Sequence, residues 1–328
     1  MLQSENFKRY VNLKLSYPYK SESLREDLRQ MSLARFPLVV PFLAGRKTEQ
    51  EVGILMYHRI APRRSSRTFP TSNVTPDQFQ SQLSGLLERG FVAKPLRTIL
   101  DWHTNDVQPE ANVFAVTFDD GYANNLHNAV PILKKLQIPA TVFVATAYLD
   151  SPVPFPFDDW KGAHFAETTP DDWRALTSDE CKELLDSGIV DLGAHTHTHK
   201  DFREKPEGFE LDLLENIGIL RDRFGLQNVP FAFPFGKRKA GFSGPALVDA
   251  ARRTGVTCGL TSENEMTNLY ADPFRWGRWT ASEYDSSATL SAKLNGQYGA
   301  AKDLWRNLTK VVLGYRGSKV FNPVVEES

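Results

Sequence analysis

Cysteine is almost missing from this chain of 328 residues, which holds only Cys181 and Cys258. The two are far apart and lack metal-ligand spacing, so neither a dense disulfide framework nor a cysteine-ligated ion organises the fold. They read as reduced core residues, a disulfide between them being the alternative. A surplus of charge is missing as well: 39 Lys and Arg stand against 40 Asp and Glu. Without a basic excess, nothing recommends nucleic acid as a partner. Long apolar runs are also lacking. The most apolar stretch, FPLVVPFLAG at 36–45, is too short to span a bilayer and is broken by Pro37 and Pro41. It also begins too far in, behind too many charges, for an ordinary signal peptide. The expectation is that it packs on the folded domain, with peripheral membrane contact as the alternative. The expected location is the cytoplasm, with membrane association as a further option.

What is present is 41% hydrophobic residues, enough to bury a full core as one large domain or two smaller ones. The stretch that organises the rest is VFAVTFDDGYANN, Val113 to Asn125. An apolar strand ends in adjacent carboxylates, Asp119 and Asp120. Gly121 lets the backbone bend so that both can approach one cavity. Two carboxylates in one cavity repel, which asks for a cation or a shared proton. The plain alternative is a solvated strand-to-helix turn with one acid as the helix cap.

A second strand-like run, IVDLGAHTHTHKDF from Ile189 to Phe202, ends in His195, His197 and His199. The spacing of four between His195 and His199 serves two ligands around one turn or tight loop. In an extended segment His197 would share their face, so spacing alone leaves it in play. Imidazoles with a carboxylate suit a borderline metal such as zinc.

TFDDG at 117–121 and HTHTH at 195–199 resemble the first two motifs of the polysaccharide deacetylases, the NodB-homology carbohydrate esterases. FAFPFG at 231–236 resembles the third motif, and ILMYHRI at 54–60 resembles the N-terminal segment of the family's circularly permuted branch. The resemblance covers about residues 50–280. It implies an α/β fold, a distorted (β/α) barrel, and a metal-dependent N-deacetylase acting on amino sugars of a polysaccharide, an oligosaccharide or a lipid-linked glycan precursor. The alternatives are hydrolysis of another amide- or ester-linked acyl group on a sugar, and a catalytically silent carbohydrate-binding protein.

Amide hydrolysis needs a polarised carbonyl, a strong nucleophile at neutral pH and a proton for the departing amine. Together with the resemblance, these needs place a divalent metal, Zn²⁺ first, on Asp120, His195 and His199. Asp119 becomes the general base, and the resemblance makes His58 the general acid. It also implies an oxyanion donor in the backbone near Phe235. Many family members carry an arginine in the third motif that orients the base, and VPFAFPFG has none. DPFRWGRW at 272–279 offers Arg275 or Arg278 instead, with Arg278 the preferred catalytic-site residue. Trp279 is expected to close the pocket for the acetyl methyl. Phe155, Phe157 and Trp160, in a proline-broken aromatic insertion, are expected to wall the sugar cleft, a lid packed on itself being the alternative.

The remaining pattern is regular. Helices are expected at 75–89, 122–136, 177–186, 207–224, 243–254 and 300–313, the first and third opening with capping boxes. Buried strands are expected at 52–57, 139–145, 229–233 and 255–260. The expected domains are an N-terminal extension packed on the barrel at 1–50, the catalytic domain at 51–281, and a C-terminal helical extension and tail at 282–328.

Overall fold

Apolar strands alternating with amphipathic helices have one simple packing solution, parallel strands side by side with helices on their outer face. The computed structural model describes residues 48–63, 72–157 and 169–297. In chain order it begins with β1 (Glu51–Tyr57), β2 (Arg59–Ile60), β3 (Asn73–Val74), α1 (Pro76–Glu88), β4 (Val92–Ala93) and α2 (Leu96–Thr104). Next come β5 (Val113–Phe118), a π-helical turn (Asn125–Ala129), α3 (Val130–Leu136), β6 (Ala140–Val144), α4 (Ser178–Asp186) and β7 (Val190–Ala194). The last part holds α5 (Pro206–Phe224), β8 (Phe231–Ala232), α6 (Pro245–Arg253), β9 (Gly259–Leu260), β10 (Thr267–Asn268), β11 (Trp279–Thr280) and α7 (Ser287–Leu294).

Strands β1, β5, β6, β7, β8 and β9 follow one another in parallel. On the other edge of β1 lie antiparallel β10 and parallel β11. Single backbone bonds bridge β9 to the β11 segment: the Thr261 N–H donates to Trp276 O at 2.8 Å, and the Arg278 N–H donates to Glu263 O at 2.9 Å. The ring therefore closes, with its distortion at that seam.

Alternation along the strands sorts the side chains. Ile54, Ala115, Phe143, Ala232 and Leu260 meet inside the ring, where α2 adds Leu96 and Ile99. The intervening residues Leu55, Val116, Val142 and Leu192 face outward beneath α1, α3, α4 and α7. Helices α5 and α6 cover β8 through Phe209, Leu213, Leu247 and Val248. Gly53 has a reason to be glycine, because a Cβ there would lie 2.1 Å from Leu294 Cδ2 of α7.

Capping fixes the helix starts. Thr75 Oγ1 accepts the Gln78 N–H ahead of α1, and Thr177 with Glu180 forms a full capping box on α4. Several elements carry too little pattern to be expected from sequence, α2, α7 and β11 among them. Helix α2 follows Pro95 without a side-chain cap, α7 is short, and β11 is two residues long. The helix expected from Tyr122 begins instead as a π-helical turn, and α3 proper starts at Val130. The expected helix at 300–313 and nearly all of the expected 1–50 extension lie outside the described residues. No helix among the described residues is long and apolar enough to cross a membrane.

Candidate active site

Parallel strands bring their C-terminal ends to one rim, where a βα barrel displays working residues. At the end of β5 the two acids part company. Asp120 and Gly121 both adopt left-handed backbone, with φ 74° and 85°. This turn carries the Asp119 and Asp120 carboxylates to different partners. Asp119 takes a bidentate pair from Arg278, Nη1 to Oδ1 at 2.6 Å and Nη2 to Oδ2 at 2.7 Å. Arg278 is itself fully buried, donating also to Thr261 O at 3.1 Å and to Thr117 Oγ1 at 3.2 Å. Such a fork fixes both the charge and the plane of the carboxylate. Burial alone would raise the pKa of Asp119, but Arg278, His195 and His58 outweigh it and hold the group below its ordinary range. Arg275, the other arginine considered, is exposed and lies 3.8 Å from Asp272.

Asp120 faces the histidines. Its Oδ1 is 3.4 Å from His195 Nε2 and 3.4 Å from His199 Nε2. All three residues are buried, and their ligand atoms lie within 4.8 Å of one another. Donors about 2.0–2.2 Å from a tetrahedral ion sit roughly 3.3–3.6 Å apart, so the observed edges suit an ion between them. The protonation pattern agrees. His195 Nδ1 lies 2.8 Å from Ala232 O, which assigns its proton there and leaves Nε2 free to ligate. Burial would lower His195, but Asp119 and Asp120 outweigh it and raise it, whereas burial, reinforced by His195, pushes His199 down to about 4. Asp120 is held well below the ordinary carboxylate range, its burial outweighed by the two imidazoles and His58. These residues fit a metal ion.

His197, which spacing left in play, turns away. Its Nδ1 lies 3.0 Å from Thr146 Oγ1 and its Nε2 lies 3.3 Å from Glu215. The left-handed backbone at Thr196 and His199, φ 60° and 52°, breaks the extended conformation that would have put three imidazoles on one face.

His58 follows β1, where the Asp119 N–H donates to Tyr57 O at 3.0 Å, so the two residues leave adjacent strand ends together. The π-helical turn grips this segment. Asn125 Nδ2 donates to His58 O and Asn128 Nδ2 to Ile60 O, both at 2.8 Å, while Asn124 Oδ1 accepts the Ile60 N–H at 2.8 Å. The sequence reading assigned these asparagines no role. The available signal was their density in a helical stretch, since asparagine is a poor helix interior residue.

The predicted substrate contacts fare differently. Phe235 is 45% exposed, sits 4.9 Å from the His199 ring and has φ 60°. Phe157 stacks on His199 at 3.9 Å, while Phe155 is buried against Tyr122 and Tyr148. The insertion thus packs on itself at Phe155 and reaches the site through Phe157. Trp279 is a correction. It is in register with Leu55, which faces outward, and it is buried in the core beneath the helices. Arg278, one residue earlier, takes the inward position, and alternation sends Trp279 to the opposite face. Trp160 lies outside the described residues.

Comparison with known proteins agrees with this geometry. Residues 106–259 match the sequence model of the polysaccharide deacetylase family. A Bacillus subtilis protein named for that family, YxkH, is 24% identical over 220 residues, 66% of this chain and 67% of the relative. The poly-beta-1,6-N-acetyl-D-glucosamine N-deacetylase of Staphylococcus epidermidis is 22% identical over 261 residues, 74% of this chain and 82% of that one. Among solved structures, the Streptococcus pyogenes deacetylase PplD, in complex with acetate, superposes with a TM-score of 0.61 at 22% identity, covering 75% of this chain and 99% of that one. Motifs and relatives converge on the polysaccharide deacetylase family, whose sequence model matches residues 106–259 of this chain, and the barrel has the fold of the solved deacetylase.

Proposed function

We propose that this protein is a metal-dependent hydrolase that removes N-acetyl groups from amino sugars of a polysaccharide, or of its oligosaccharide or lipid-linked precursor. The observation that carries the reading is the buried Arg278–Asp119 pair beside the buried Asp120, His195 and His199. A binding protein has no use for a carboxylate kept ionised next to a cluster of metal donors. The family match over residues 106–259 and the N-acetylglucosamine deacetylase among the relatives support the acyl group and the sugar.

Asp120, His195 and His199 would hold the metal, and two imidazoles with one carboxylate suit zinc. When bound, it would supply Lewis-acid polarisation of the amide carbonyl and ease the deprotonation of water. The chain's own residues do the rest. Asp119, ionised and oriented by Arg278, accepts the proton of the attacking water. The Phe235 N–H, which donates no hydrogen bond among the described residues, is a candidate donor to the developing oxyanion. His58, at the end of the neighbouring strand, supplies the proton to the departing nitrogen. We assign Phe157, and Phe235 with its exposed ring, to the wall of the sugar cleft, where aromatic faces stack on apolar sugar faces.

The test is acetate release from N-acetylglucosamine oligomers by zinc-loaded protein. Release that stops on chelation and returns with zinc supports the proposal. Zinc binding without release of acetate would point to another acyl group or to a binding role, and failure to bind any divalent metal would overturn it.

A further inference from the structure

The two metal-binding histidines are held by different means. His195 is fixed through its ring by Ala232 O. His199 Nδ1 is buried and makes no hydrogen bond among the described residues. Its ring is instead gripped between Phe157 and Phe235, so its position depends on where the backbone of residues 196–199 is held. That backbone is strained. Thr196, a β-branched residue, and His199 both occupy the left-handed region, which such residues enter only when their surroundings impose it.

The surroundings come from α5. Asp212 Oδ1 accepts the His197 N–H at 2.7 Å and the Thr198 N–H at 3.0 Å, and Oδ2 accepts the Thr198 hydroxyl at 2.6 Å. One turn on, Asn216 accepts the His195 N–H at 3.1 Å and donates to Val144 O and Thr146 Oγ1 at 3.0 and 2.7 Å. Asn216 thus ties the base of the loop to the end of β6. The crest is also met through its carbonyls, the Ala147 N–H donating to His197 O at 2.9 Å and the Tyr148 hydroxyl to Thr198 O at 2.8 Å. The His197 and Thr198 N–H groups, however, both go to Asp212, while the His199 N–H bonds within the loop to Thr196 Oγ1.

We propose that Asp212 is a positioning residue for metal binding, which keeps His199 aimed at the site by pinning the strained His197–Thr198 backbone. This rests on the metal-site reading above. The test titrates Zn²⁺ into metal-free protein against a chromophoric chelator, with amide hydrogen exchange followed on the same samples. Asp212→Ala is expected to weaken zinc binding by about 10–100-fold, the usual effect of losing an outer-shell support. Asp212→Asn, whose amide oxygen still accepts both N–H groups, is expected to recover most of that affinity, which a role through charge alone would not allow. Exchange at the His197 and Thr198 amides should quicken in Asp212→Ala while the rest of α5 stays protected. Zinc binding by Asp212→Ala as tight as wild type would overturn the proposal. If wild type binds no zinc, the metal-site reading fails, and unchanged exchange at His197 and Thr198 would then overturn the pinning role separately.

Discussion

Asp119 and Asp120 are neighbours in sequence with opposite surroundings. One meets a guanidinium, the other two imidazoles, and the left-handed Asp120 backbone between them makes the separation. Asp119→Asn is expected to lower turnover by about 10²–10⁴-fold, the range of a lost general base, while zinc titration stays unchanged because Asp120 and the histidines remain. Arg278→Lys keeps a cation but loses the fork. Because Arg278 lowers the Asp119 pKa, weakening it must raise that pKa. The acid limb of the pH–rate profile should therefore move to higher pH, with turnover at neutral pH reduced; an unshifted limb would show that Arg278 does not govern the base. The type of each residue was legible in the TFDDG and HTHTH runs. The exclusion of His197 and the choice of Arg278 over Arg275 were not, since backbone dihedrals and burial decided both.

At the scale of elements, α4 shows how local signals and tertiary contacts merge. Thr177 and Glu180 form the capping box that their spacing predicts. Glu180 also binds Arg174 through both carboxylate oxygens, at 2.7 and 2.6 Å, and lies 2.8 Å from His127 Nε2. Burial raises its pKa, but Arg174 and the Thr177 N–H outweigh burial and hold it at about 2, from an ordinary 4.5. A depressed carboxylate contributes stability that is complete above its unfolded value and lost as pH falls through its folded one. Glu180→Ala should thus cost about 1 kcal/mol or somewhat more at neutral pH, and the wild-type advantage should fade between pH 4.5 and about 2. Denaturant melts across that window check both the size and the sign. Helices with strong apolar stripes, α1, α5 and α6, were legible almost to the residue. Helix α2, uncapped after Pro95, was not, because its stability comes from the barrel interior it plugs rather than from its own signals.

At the scale of the molecule, the last described helix belongs to the same core as the first strand. Leu290 and Leu294 of α7 are buried with Leu55 and Tyr57 of β1, and the missing side chain of Gly53 makes the space for Leu294. Leu294→Ala is expected to destabilise the protein by about 2–5 kcal/mol, lowering the midpoint of a single cooperative transition. A separate early transition at α7, with the barrel's midpoint unchanged, would show that α7 is only an appendage.

The sequence by itself determined the alternation of strand and helix, the helix caps, and the two strand ends where acids and histidines gather. These are local patterns, readable because side-chain period and capping chemistry act over a few residues. The tertiary structure decided which of those groups meet. Arg278 reaches Asp119 across 159 residues, His197 leaves the site for Glu215, and Trp279 joins the core while its neighbour enters the site. Each outcome depends on the ring closing at one register and on a few left-handed residues at its rim. Strand registry and backbone strain are set by packing across the whole barrel, so no short stretch of sequence carries them.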